Sequence, residues 1–370
     1  MYRSVTAPLH LSLIFVLGAT ASLLASTPAA AQIPLTEGLR LDLSGGVQPR
    51  VSVGVEEEAG DNATRYGFGL RRARFQARVL YRDLAGVEYD VEGGSGVIES
   101  VDLFAFANLA EGIQMRVGYF PIAQPAGGIL TPYFLIDAVD RAAIDERWLA
   151  GTLGGDGRDL GADVTLRRGR TIASVALHNG FGTFERRTNN FREGISGDDV
   201  VGGIETPGLA GSAVLIYEPS SGVEVGGYAG FNGANPDRTD RGAGGRDYSS
   251  AGAHVYWGPS PGSQPVRLKL DALVLRYADD GAGEQEQGGL SAFGALRVLD
   301  HGEAFVRAER FWADAGAGAE DYLTAGLSYS PSAARGAPYH RARLTLAYHY
   351  RASDLIDSAH LVVLQGQLAF

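Results

Sequence analysis

The chain is 370 residues long, 45% hydrophobic and 20% charged, with 43 acidic against 32 basic residues, a formal charge of −11 at pH 7 and no cysteine. That apolar content argues against disorder, and the acidity argues against a nucleic-acid partner. The missing cysteine excludes a disulfide framework and thiolate metal sites, so stability has to come from packing and backbone pairing.

In MYRSVTAPLHLSLIFVLGATASLLASTPAAAQ, Arg3 precedes an apolar stretch through Leu24, and Ala29-Ala30-Ala31 supplies an A-x-A cleavage site. Residues 1–31 are expected to be a cleaved export signal. Residues 32–370 are expected to be one domain, because no Pro-rich linker, charge block or low-complexity segment divides them. No later stretch has the length and apolarity of a membrane helix. If the protein sits in a membrane, it crosses it with strands.

Sixteen strands are expected, separated by clusters of Gly, Asp and Asn. They lie near 47–56, 66–81, 85–92, 97–109, 112–120, 159–167, 170–178, 209–218, 222–231, 248–257, 265–277, 288–298, 303–313, 320–329, 339–351 and 359–370. Sixteen spans leave about 21 residues each, enough for a tilted crossing of 9 to 11 residues plus alternating short turns and longer loops.

The strand 66–81 alternates most clearly. Ala73, Phe75, Ala77, Val79 and Tyr81 share one face, and Arg72, Arg74, Gln76 and Arg78 share the other. Each arginine would cost about 2–4 kcal/mol at a bilayer midplane, so their face must meet a wet interior. Further along, Val87, Tyr89 and Val91 oppose Glu88, Asp90 and Glu92, and Ile113, Met115, Val117 and Tyr119 oppose Gln114 and Arg116. Leu268, Leu270 and Val274 oppose Arg267, Lys269 and Asp271, and Leu344 and Leu346 oppose Arg341, Arg343 and Thr345. In strands 97–109 and 303–313 apolar residues occupy both faces, which leaves Phe104, Phe106 and Trp312 without an assigned side.

Two connections are too long for turns. The segment 121–151 carries Ile129, Leu130, Tyr133, Phe134, Leu135 and Ile136, which need cover. Folded into a barrel it would put Asp137, Asp140, Arg141, Asp145, Glu146 and Arg147 at an eyelet; the alternative is an outer loop packed on a neighbouring copy. The segment 179–207 mixes Phe181, Phe184 and Phe191 with Arg186, Arg187 and Arg192. It suits either an anion-gathering vestibule or an outer surface that binds lipopolysaccharide phosphates.

The last segment, LVVLQGQLAF, alternates up to Phe370. A strand ending so abruptly is best explained by a closed barrel in which the last strand pairs with the first and leaves no edge. The fold class expected is therefore all-β, a transmembrane antiparallel barrel.

From about Tyr66 onward the chain resembles the phosphate-selective porin O and P family of Gram-negative outer membranes. The resemblance rests on FGLRRARFQARVLY (Phe68 to Tyr81) with GVEYDVE (Gly86 to Glu92), on MRVGYFPIAQPAGGI (Met115 to Ile129) with AIDERW (Ala143 to Trp148), and on the final strand. It implies a 16-stranded barrel with an inward-folded loop, usually a homotrimer in the outer membrane, whose pore is lined by basic side chains that attract small anions. A terminal aromatic of this kind resembles the signal read by the barrel assembly machinery, a role that falls to Phe370.

One departure stands out. Family members that select phosphate use lysines at the constriction, whereas Lys269 is the single lysine here. Anion binding would rest on Arg50, Arg72, Arg74, Arg78, Arg116, Arg267, Lys269, Arg341 and Arg343, and arginine grips phosphate more tightly and less mobily than lysine. The same arginines could equally pair with Glu88, Asp90, Glu92, Asp102 and Asp271 and brace the wall. The histidines beyond the expected export signal (His178, His254, His301, His340, His349 and His360) stand in no catalytic motif. No enzyme activity, cofactor or metal is expected; a surface hydrolase and a non-conducting barrel remain the alternatives.

Overall fold

The computed structural model describes residues 31–58, 61–94, 97–127, 131–153, 157–180, 209–233, 247–279, 283–312, 318–354 and 358–370. The export signal expected over residues 1–31 (all but Ala31) and most of the segment 179–207 lie outside the described residues, as do Ile129 and Leu130.

Seventeen strands form one antiparallel sheet. They are β1 (Ala31–Thr36), β2 (Leu39–Glu58), β3 (Asp61–Tyr81), β4 (Ala85–Glu92), β5 (Glu99–Ala110), β6 (Ile113–Pro121), β7 (Arg158–Arg168), β8 (Thr171–His178) and β9 (Leu209–Ser220). There follow β10 (Val223–Gly233), β11 (Tyr248–Trp257), β12 (Val266–Asp279), β13 (Gly283–Leu299), β14 (Gly302–Trp312), β15 (Ala319–Tyr329), β16 (Ala342–Ser353) and β17 (Ala359–Ala369). From β2 onward each strand pairs with the next, and β17 returns to pair with β2 from Ala359 opposite Glu56 to Ala369 opposite Gly46. This closes a ring of sixteen and removes both sheet edges. Phe370 exchanges both backbone hydrogen bonds with Gly45 at the seam. The short β1 lies along the first residues of β2, from Ala31 opposite Leu43, beyond the point where β17 has ended.

All sixteen expected strands are present. β2 and β3 are several residues longer than their patterns suggested: Leu39, Leu41 and Leu43 continue the alternation of β2 before Val47, and β3 already begins at Asp61, paired with Glu58. At one end of the barrel the connections include two-residue turns at 111–112, 169–170, 221–222 and 300–301; the opposite end carries the longer segments. This asymmetry is the one outer-membrane barrels show between periplasmic turns and external loops.

The outer wall is apolar. Val175, Leu270 and Val274 are each about three-fifths exposed. Tyr66, Phe68, Phe231 and Trp312 ring the long-loop end, and Tyr81, Tyr217, Trp257 and Tyr329 ring the short-turn end; all are exposed. These are the two aromatic girdles of a membrane-spanning barrel. Trp312 thus faces outward, whereas Phe104 and Phe106 turn inward and are buried.

Two bulges set this sorting. In β3 the outward parity of Tyr66, Phe68 and Leu70 gives way to that of Ala73 and Phe75, and the register shifts where Gln48 faces Arg72 but Pro49 faces Leu70. The extra residue, Arg71, joins Arg72 on the inner side. In β5 the shift between Asp102 and Ser100 does the same for Val101 and puts Asp102, Phe104 and Phe106 in register with the inner face of β4.

Candidate functional site

Two of the buried clusters form where the described residues of the connection between β6 and β7 (122–127, 131–153 and 157) rest on the inner wall. The connection contains a helix that its sequence pattern did not reveal, α1 (Ala143–Gly151), and a 3-10 turn at Tyr133–Leu135. Ile144 and Trp148 of α1, with Ile122 and Leu153, are buried against Tyr228, Tyr248, Leu273, Leu275 and Phe311 of β10 to β14. The seat for Ile144 exists because Gly289 lacks a side chain: a Cβ there would stand 2.6 Å from Ile144 Cγ2. Ala138 and Val139 pack on Phe293, Phe305, Ala347 and Val363 of β13, β14, β16 and β17.

Polar contacts fix the same segment at several points. Gln48 of β2 donates to the Tyr133 carbonyl at 3.2 Å, and Gln367 of β17 to the Phe134 carbonyl at 3.0 Å. Arg307 of β14 donates to the Asp140 and Arg141 carbonyls at 3.0 and 2.9 Å. Trp148 Nε1 donates to Ser250 Oγ at 3.3 Å, and Arg147 pairs with Glu320.

Two loop aspartates make the main anchors. Asp137 lies 2.6 Å from Arg267 and 2.8 Å from Lys269, and Asp140 lies 3.0 Å from both Arg50 and Arg71. Burial alone would raise the Asp137 carboxyl, but Lys269 and Arg267 outweigh it and hold it below its ordinary value. Arg50 and Arg71 do the same against burial for Asp140. Arg141 donates to the Gly127 and Thr131 carbonyls within the loop, and burial, joined by the nearby Arg72, pulls its pKa down to about 9. Asp145 is pushed well above its ordinary value by burial and by the neighbouring carboxylate of Asp271. Burial also raises Glu146, with Asp140 beside it.

The arginines of β3 and β6 are paired with acids of the adjacent strands. Arg74 bonds Glu92, Arg72 lies 4.0 Å from the same carboxylate, Arg78 is 3.2 Å from Glu88, and Arg116 bonds Asp163 of β7 at 3.0 Å. Arg158 is 2.6 Å from Asp102. Several guanidiniums also lie on aromatic faces: Arg78 over Phe106 at 4.5 Å, Arg116 over Phe120 at 4.5 Å and Phe104 at 5.4 Å, and Arg74 over Tyr133 at 5.3 Å. Of the acids named from sequence as bracing partners, Glu88, Glu92 and Asp102 hold arginines, whereas Asp90 accepts from Gln76 and Asp271 from Tyr256. Arg343 is buried, with Gln367 Oε1 3.4 Å from its Nη2.

Sequence reasoning missed Arg71, Arg158, Asp163, Arg307 and Glu320. Arg71 had a signal, the change of apolar parity between Leu70 and Ala73. Arg307 had one too, sitting at inward parity between Phe305 and Glu309, but apolar residues on both faces of that strand masked it.

On the short-turn side of the loop lies a cavity of about 560 Å³. Arg74, Arg116, Arg158 and Arg341 line it, with Glu88, Asp90 and Asp102 and the rings of Phe104, Tyr133, Phe134 and His340. A second cavity of about 390 Å³ lies nearer the long-loop ends, beside Arg50, Glu56, Arg65 and Arg351. Among the described residues no cluster of three or more metal-ligating side chains occurs.

No family model matches the chain, and no curated protein matches it. Solved structures do. An anion-selective porin from Comamonas acidovorans superposes with a TM-score of 0.64 at 16% identity, over 90% of this chain and all of that one. A loop-deletion mutant of OmpT, an outer membrane protein of Vibrio cholerae, gives 0.60 at 13% identity over 90% of this chain and all of that one. Salmonella typhi OmpF, in complex with daunomycin, gives 0.59 at 12% identity over 91% and 100%. These similarities extend to the fold: this chain has the sixteen-stranded architecture of outer-membrane porins.

Proposed function

We propose that this porin-type barrel is an outer-membrane diffusion channel for small solutes, biased toward anions. The observation that carries the reading is the disposition of charge around the 560 Å³ cavity. Arg74 and Arg116 line it, while their carboxylate partners, Glu92 and Asp163, are not part of its lining. The acids hold the guanidiniums in place from behind and leave positive edges toward water, so an anion is attracted without being trapped. The loop anchored by Asp137 and Asp140 is read as the constriction.

The same reading takes residues 1–31 as a cleaved export signal and residues 32–370 as the barrel. Three copies form the working unit, lipid and lipopolysaccharide surround the apolar outer wall, and the strand closing at Phe370 carries the assembly signal. Phosphate selectivity is a finer reading, supported by the number of inward arginines and weakened by the engagement of their planar forks with carboxylates. Planar-bilayer recording tests the function. Stepwise conductance with a reversal potential displaced toward chloride in a KCl gradient is expected. Purified protein that inserts without conducting would leave a non-conducting or enzymatic barrel, and a cation preference would remove the role given to Arg74 and Arg116.

A further inference from the structure

The cavity on the short-turn side is furnished for more than charge. Phe134 of the loop is half-buried and stacks on His340 with ring centres 5.0 Å apart and planes 28° from parallel. His340 belongs to the turn before β16. Burial, with Arg341 and Arg343 beside it, lowers its pKa from the ordinary value, so at neutral pH it presents an uncharged ring. Phe104 adds a further ring to the lining, with Arg116 lying over it at 5.4 Å.

Resting on the channel reading above, we propose that this cavity is a binding station for aromatic monocarboxylates, which the channel favours over inorganic phosphate and small mineral anions. Four features of the cavity carry this. The volume of about 560 Å³ is that of a small-molecule site. Arg74 and Arg116, held by Glu92 and Asp163, line the space and supply the positive charge that attracts an anion of either kind. Glu88, Asp90 and Asp102 also line the space, and they repel a doubly charged phosphate more than a singly charged acid. An aromatic body gains stacking on Phe134 and sheds little hydration on entering, whereas a mineral anion loses water beside rings that return nothing.

Benzoate, cyclohexanecarboxylate, acetate and inorganic phosphate, added in turn to channels conducting KCl, test the proposal. Benzoate is expected to interrupt the current reversibly and in proportion to concentration, more strongly from the short-turn side, with cyclohexanecarboxylate weaker and acetate and phosphate weaker still. Loss of the ring in Phe134→Ala should shorten the benzoate events about tenfold, as expected for removing one stacking contact worth about 1.4 kcal/mol. Phe134→Tyr should restore them, and the outward Trp312→Ala should change nothing. Equal interruption by phosphate or acetate, silence to benzoate in an otherwise anion-selective channel, or an unchanged Phe134→Ala would each overturn the proposal while leaving the channel reading standing. Calorimetric titration of benzoate into the detergent-solubilised protein separates the two in the other direction. Binding that depends on Phe134 in a protein without conductance would support the site and sink the channel.

Discussion

The two inner walls of the barrel use the same residue type for different ends. On the wall from β12 to β14, Arg267 and Lys269 receive their carboxylate from Asp137 of the loop and are almost wholly buried. On the wall from β3 to β6, Arg74 and Arg116 receive theirs from neighbouring strands and keep an edge toward the cavity. Which strands the loop covers, and not the presence of arginine, decides whether a guanidinium is buried against the loop or lines the cavity. A buried pair loses several kcal/mol when one partner is removed, because the other charge is left in low dielectric, whereas a solvated pair loses little.

The sharpest way to break this contrast is Asp137→Ala. It strips Lys269 of its carboxylate and leaves Arg267 with Glu303 alone, so a loss of about 3–5 kcal/mol is expected in denaturant unfolding of the solubilised barrel, together with larger and noisier conductance as the loop loosens. On the opposite wall, Arg74→Gln with Arg116→Gln keeps a donor for Glu92 and Asp163 but removes two positive charges. The anion-to-cation permeability ratio from reversal potentials should fall several-fold, about 1 kcal/mol, with a stability loss smaller than that of Asp137→Ala because the glutamine amides still donate to Glu92 and to the buried Asp163.

Acid should act on the loop wall first. Asp137 and Asp140 have carboxyl values depressed in the folded chain, so the stability they contribute is complete above the ordinary carboxylate range and disappears only as pH falls below it, through their lowered values. Current noise should be flat through mildly acidic pH and rise below it; a rise already at pH 6 would contradict the anchoring role. The smallest effect is expected from Asp145→Asn. The raised value of Asp145 means that the folded loop holds its proton more tightly than the unfolded chain does, so this carboxyl costs stability as pH rises above the ordinary carboxylate range. Asparagine should match the parent's stability in acid within about 0.5 kcal/mol and exceed it as pH rises above the ordinary carboxylate range, which a thermal unfolding series against pH would read.

Strand number and inward parity were legible because a membrane barrel imposes a period of two on every crossing, and a misplaced arginine is expensive enough to make the pattern strict. Val87 with Glu88 and Leu268 with Arg267 could be sorted without coordinates. Phe104, Phe106 and Trp312 could not, since their strands are apolar on both faces and a bulge at Val101 resets one of them. The helix α1 was hidden for a different reason. AIDERWLAG has too short an amphipathic pattern to announce itself, and it is held by wall residues such as Gly289 and Phe311 far away in the chain.

The sequence by itself therefore determined the closed sheet, its two faces and the crowding of arginine on the inner one, because these follow from local alternation and the cost of charge in lipid. Only the tertiary structure decided which arginine meets which acid. Asp137 reaches Arg267 across 130 residues, and such a pairing depends on the path of one long loop through the barrel, which no local pattern encodes.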